Sequence, residues 1–123
     1  MKKKVLYIED NAQNLYLVNF ILDKIGCEVF QARDGRDGIE QAVNVKPDLI
    51  LLDIQLPGID GYAVARVLRE NAELKQTPIV ALSSYAMVGD REKALAAGCS
   101  DYIEKPINPD IFAGQISRFL ADK

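Results

Sequence analysis

Five strand-like segments alternating with five helix-like ones predict an α/β protein: a parallel sheet covered by helices on both faces and joined by right-handed crossovers. Two observations carry this beyond the alternation itself. Leu49–Leu52 is an apolar run bounded by Pro47 and Pro57, too short for a free-standing helix, and it suits a strand buried on both faces. Cap and turn residues punctuate the junctions, so each helix has a stated start or stop.

Taken in order, Lys4–Ile8 reads as a first strand ending on Glu9-Asp10. Asn11 can cap a helix that faces inward through Leu15, Val18, Leu22 and Ile25, and Gly26 suits its end. Cys27–Ala32 is a second strand, followed by Arg33-Asp34-Gly35 and a short helix with Ile39, Ala42 and Val43 inward. Pro47 closes that helix, and the third strand ends on Asp53. Gln55–Gly61 is turn-rich, with Asp60-Gly61 as cap and turn for a helix carrying Val64, Val67 and Leu68. Ile79–Leu82 is a fourth strand ending in Ser83-Ser84. The fourth helix runs from about Met87, a core or loop filler, to Ala97, and its thin apolar face is mostly alanine with Leu95. Ser100–Glu104 is a short fifth strand ending in Lys105-Pro106. Asn108-Pro109-Asp110 starts a last helix that buries Phe112, Ile116, Phe119 and Leu120.

At 123 residues the chain reads as one domain, residues 1–123, with no linker, low-complexity segment or output domain. Nearly half its residues are hydrophobic and about a quarter charged, ordinary globular composition. No apolar run approaches the roughly 20 residues of a membrane span, and the start is no signal peptide, so the expected location is cytoplasmic with no membrane partner. A net charge of −3, with basic residues clustered only at Lys2–Lys4, argues against nucleic acid. The absence of histidine removes His-based metal sites and catalytic dyads. Cys27 and Cys99 lack CxxC spacing and read as buried thiols.

Open α/β sheets bind ligands at the carboxyl ends of their strands. Those ends carry Glu9-Asp10, Asp53, Ser83-Ser84 and Lys105. Carboxylates about 5 Å apart repel by roughly 3 kcal/mol per pair at an effective dielectric of about 20. Raised pKa values or a divalent cation relieve that repulsion, and a hard cation shared with a phosphate describes Mg²⁺. Lys105 supplies a point charge and a serine supplies a hydroxyl. Together these are the parts for phosphoryl transfer to Asp53.

Glu9-Asp10, Asp53 with Ile54-Gln55-Leu56-Pro57-Gly58, Asp60-Gly61, Ser83, Tyr102 and Lys105-Pro106 together resemble a response-regulator receiver domain of two-component signalling, over essentially the whole chain. The resemblance implies the flavodoxin-like (βα)5 fold, three layers with strand order 2-1-3-4-5. It implies that Asp53 is the phosphoacceptor, that Glu9, Asp10, Asp53 and the backbone carbonyl of Gln55 hold Mg²⁺ (or Mn²⁺), and that Ser83 and Lys105 bind the phosphoryl group. It further implies a Ser83–Tyr102 switch, a cis Lys105–Pro106 bond, and tuning of dephosphorylation at Gln55 and Tyr85, where bulky Tyr85 would shield the phosphoryl group. The implied partners are a sensor histidine kinase or histidine phosphotransferase, and a downstream target on the face of helix 4, strand 5 and helix 5. The implied protein is a monomer, with dimerisation on phosphorylation, and a switch rather than an enzyme.

Competing readings fare worse. An aspartyl phosphatase would need an acid two residues after its nucleophile, where Gln55 stands. A flavin-binding protein of this fold would want a Ser/Thr/Gly-rich loop where this chain has Glu9-Asp10. A degenerate receiver that works without phosphorylation is disfavoured by the complete acidic set.

Overall fold

The computed structural model describes residues 2–56, 58–84 and 89–120. Five parallel strands form one sheet: β1 (Lys4–Ile8), β2 (Glu28–Ala32), β3 (Leu49–Asp53), β4 (Ile79–Ser83) and β5 (Asp101–Glu104), in the order β2-β1-β3-β4-β5. The helices are α1 (Ala12–Lys24), α2 (Gly35–Val45), α3 (Gly61–Glu70), α4 (Asp90–Ala96) and α5 (Pro109–Leu120), with a 3-10 turn at Ala72–Leu74. No helix among the described residues is long and apolar enough to cross a membrane.

Strand alternation sorts the core into two layers. Val5, Tyr7, Leu49, Leu51, Val80, Leu82 and Ile103 face Leu15, Val18 and Leu22 of α1 and Phe112 and Ile116 of α5. Leu6, Ile8, Ile50, Leu52, Ile79 and Ala81 face α2, α3 and α4 through residues such as Ala42, Val64, Leu68 and Ala94. β3 is buried along its whole length, as its uninterrupted apolar run requires. The helix starts follow their caps: Asn11 accepts from the Asn14 amide at 3.0 Å, and Asp60 from those of Tyr62 and Ala63 at 2.8 and 3.1 Å. Asp34 likewise caps α2, accepting from Asp37. Cys27 and Cys99 are buried free thiols.

Four expected inward residues turn out exposed. Ile25, Val43, Val67 and Leu95 face solvent, while Ile21, Ala42, Ala65 and Ala94 take inward places. Ile25 falls past the last turn of α1. The other three lie off the buried stripe of their helix, which runs through Gly35, Gly38 and Ala42 in α2, Val64, Ala65 and Leu68 in α3, and Ala94 in α4. The described part of α4 begins at Asp90, and Met87 lies outside the described residues.

Candidate functional site

Ladder hydrogen bonds continue past the strands and fix the residues just beyond them. The Glu9 amide donates to Ala32 O at 2.9 Å, that of Ile54 to Leu82 O at 2.9 Å, and that of Lys105 to Ser83 O at 2.7 Å. Continuing the alternation, Glu9, Asp53 and Lys105 follow Tyr7, Leu51 and Ile103 onto the α1/α5 side. Ser83 and Tyr102 have the opposite parity, and Tyr102 packs, partly buried, against the layer that includes α4. Two groups of functional side chains therefore straddle one sheet edge.

On the first side, carboxylate oxygens of Glu9, Asp10 and Asp53 lie within 4.8 Å of one another. Glu9 is 0% exposed and Asp53 2%, whereas Asp10 is open to solvent. The Lys105 ammonium donates to Glu9 Oε1 at 2.7 Å and lies 3.3 Å from Asp53 Oδ2. The Tyr7 hydroxyl donates to the same Glu9 oxygen at 2.8 Å, and the Asn11 amide to Oε2 at 3.3 Å. Burial, then the hydrogen bond and charge of Glu9, push the Asp53 carboxyl up to about 7 against the pull of the Gln55 amide and Lys105. Burial also works against ionised Glu9, but hydrogen bonds from Asp53, Lys105 and Tyr7 outweigh it and hold Glu9 below its ordinary value. The shared site thus pushes the two carboxyl groups apart, Asp53 upward and Glu9 downward.

On the second side, Ser83 is 1% exposed at the end of β4. Gln55, expected only as a backbone ligand and a tuning position, also binds Ser83 through its side chain. Its Nε2 donates to Ser83 Oγ at 2.8 Å, and its Oε1 accepts from the Ser84 amide at 2.9 Å. The Gln55 amide donates to Asp53 Oδ1 at 2.9 Å. The Lys105–Pro106 peptide is cis. Tyr85 and Pro57 lie outside the described residues. Gly61 does more than turn the chain: a Cβ there would come 2.5 Å from Ile54 Cα and 2.8 Å from Asp53 O, so only glycine lets α3 start against the end of β3.

Tyr7 is a site residue that apolar patterning places only in the core. The signal that could have found it is a hydroxyl in an otherwise apolar strand, two residues before Glu9 and so on the same face.

Fold and site together define a flavodoxin-like α/β domain with an acidic pocket, countered by one lysine, at the carboxyl edge of its sheet. The chain belongs to the response regulator receiver domain family, whose model matches residues 5–116. It is 38% identical, over 99% of both chains, to the polar-differentiation response regulator DivK of Brucella anthropi. The chemotaxis response regulator CheY4 of Vibrio cholerae superposes with a TM-score of 0.91 at 27% identity, covering 97% of this chain and 99% of that one. The receiver domain of the sensor histidine kinase PA1611 from Pseudomonas aeruginosa, solved with magnesium coordinated in its active-site cleft, superposes at 0.90 with 32% identity, covering 99% of this chain and all of that one. This protein is therefore a receiver domain of two-component signalling, a phosphorylation-activated switch by family rather than an enzyme.

Proposed function

We propose that Asp53 is the phosphoacceptor, charged by a phosphohistidine on a sensor histidine kinase or a histidine phosphotransferase. The observation that supports this most is the seating of a buried Asp53 carboxyl 3.3 Å from the Lys105 ammonium, beside two further carboxylates. In the transfer an Asp53 oxygen bonds to phosphorus as the phosphorus–nitrogen bond of the donor breaks, and the imidazole keeps the electron pair. Lys105 orients and neutralises the phosphoryl oxygens, and Ser83 donates a hydrogen bond to one of them.

The donor set fits Mg²⁺ or Mn²⁺. It is made of hard oxygens, and three carboxylates whose oxygens lie within 4.8 Å of one another repel until a cation neutralises them. Glu9, Asp10, Asp53 and the backbone carbonyl of Gln55 would hold the ion, which supplies charge neutralisation between carboxylate and phosphoryl group. Glu9, already engaged by Tyr7 and Lys105, is suited to act through water. Ser83 and Tyr102 form the switch, read by a downstream protein on the α4/β5/α5 face, where Asp101 pairs with Arg91 at 3.0 Å and with Arg118. The protein is a monomer that can pair when phosphorylated, and the cytoplasm is the compartment this role implies. Slow loss of the group to water would be the only self-catalysed step besides uptake from a small donor, with Gln55 and Tyr85 setting its rate.

Intact mass after incubation with acetyl phosphate or a phosphorylated kinase domain tests this. Gain of one phosphoryl group is expected, requiring Mg²⁺ and absent in Asp53→Asn. No gain in wild type from either donor would overturn the proposal.

A further inference from the structure

We infer that the Gln55 carboxamide positions Ser83, latching the end of β4 in its unphosphorylated arrangement. This rests on the reading of Asp53 as phosphoacceptor.

One side-chain amide serves two consecutive residues, donating to Ser83 Oγ at 2.8 Å and accepting from the Ser84 amide at 2.9 Å. A backbone N–H can only donate, so the carboxamide has one workable orientation, with Oε1 towards Ser84. The Gln55 backbone is anchored at the other end, its amide donating to Asp53 Oδ1 at 2.9 Å. A continuous hydrogen-bonded path therefore runs from the acceptor carboxyl, through Gln55, to the hydroxyl at the switch position and the chain leaving β4. Among the described residues, the helix beyond β4 buries Ala94 alone within α4 and shows no side-chain cap bond at Gly89.

A phosphoryl group on Asp53 changes the balance. It offers the Ser83 hydroxyl a charged acceptor, and hydrogen bonds to charged groups are roughly twice as strong as neutral ones. The Ser83 oxygen accepts from Gln55 while its O–H would donate to the phosphoryl group, so the two compete by position: moving towards the phosphoryl group draws Ser83 Oγ away from Gln55 Nε2 and loosens the adjoining Ser84 amide bond. Gln55 thus opposes activation until the phosphoryl group outcompetes it.

Gln55→Met keeps the length of the side chain and removes both bonds. Gln55→Glu keeps the acceptor for the Ser84 amide and replaces the Nε2 donor with a second acceptor, to which the Ser83 hydroxyl can donate. In metal-free, unphosphorylated protein, NMR should show the Ser84 amide proton moving upfield in Gln55→Met but not in Gln55→Glu. In Gln55→Met the Tyr102 and α4 resonances should also lie part-way between those of unphosphorylated and phosphorylated wild type. Uptake from acetyl phosphate in saturating Mg²⁺ should be about two- to ten-fold faster in Gln55→Met, the worth of about one net hydrogen bond. In a Ser83→Ala background, where the Nε2 bond is already gone, the same substitution should change the rate by less than about two-fold. Tyr102 and α4 resonances that stay at their wild-type positions, or an unchanged or slower uptake, would overturn the latch while leaving Asp53 as acceptor. Failure of wild type to be phosphorylated at all would sink that reading and the latch with it.

Discussion

Asp53 and Glu9 are two buried carboxyl groups sharing one site, and their environments push them apart. Asp53 rises from the ordinary 3.8 to about 7, while Glu9 is held below 4.5. The folded chain therefore keeps a proton on Asp53 that the unfolded chain has lost above 3.8. Stability from Asp53 is fully present below that value and declines as pH rises through about 7. Glu9 acts in the opposite sense, its contribution being lost as pH falls below 4.5. Between those limits, Asp53 dominates. In metal-free buffer, urea denaturation should show wild type losing stability from pH 5 to pH 8. Asp53→Asn should be more stable than wild type at pH 8, by on the order of 1 kcal/mol, because it removes a desolvated carboxylate that the Glu9 charge repels while Lys105 keeps its bond to Glu9. Wild type the more stable at pH 8 would refute the assignment of the proton.

Among the elements, one side chain reaches across the junction of α3, the 3-10 turn, β4 and β5. Arg69, in the last turn of α3, donates through Nε to Gly98 O at 2.7 Å and through an Nη to Leu74 O at 2.7 Å and to Thr77 O. Its other Nη reaches Ser100 Oγ at 3.3 Å. Gly98, with φ +109, leaves room for this: a Cβ there would meet Arg69 Cγ at 2.4 Å. Arg69→Met should keep much of the apolar stem but leave the carbonyls of Gly98, Leu74 and Thr77 without that donor. A loss of about 2–4 kcal/mol in thermal or urea unfolding is expected, since each part-buried carbonyl deprived of its partner costs about 1–3 kcal/mol less what water recovers. A loss under about 1 kcal/mol would show that water replaces the guanidinium. The same junction carries the β4 strand to Ser83, so this staple also holds the framework against which the switch moves.

For the whole molecule, ligand binding and folding are linked. A cation that binds the folded acidic pocket stabilises the protein by RT ln(1 + [L]/Kd), about 1.4 kcal/mol at ten times Kd. For a domain of this size that is a rise in Tm of a few degrees. Differential scanning calorimetry should show it for Mg²⁺ with wild type, much less of it with Asp10→Ala, and none after chelation; an equal rise in Asp10→Ala would move the ion away from this cluster. The switch itself demands more. Turning a 1:99 equilibrium to 99:1 takes about 5.5 kcal/mol of differential interaction, several charge-assisted hydrogen bonds' worth. On the function proposed above, Lys105, Ser83 and the cation would each supply part of it from the one strand edge that they share.

The sequence by itself determined the five-fold alternation, the strand ends, the caps at Asn11 and Asp60, and which residues meet at the carboxyl edge. These are local consequences of apolar period and of backbone groups that need partners, and they were legible residue by residue. Strand order was not legible from periodicity and entered through family resemblance. Nor did apolar spacing decide between Ala42 and Val43, both read as inward, or between Leu95 and the alanines beside it, because adjacent apolar residues leave open which of them the helix turns to the sheet. Only the tertiary structure decided that Tyr7 and Lys105 share one Glu9 oxygen, that burial beside Glu9 pushes Asp53 upward, and that Gln55 reaches across to Ser83 and Ser84. Each of these depends on distances between strands far apart in sequence, and hydrogen bonds and pKa values are set by those distances, which residue spacing along one chain does not encode.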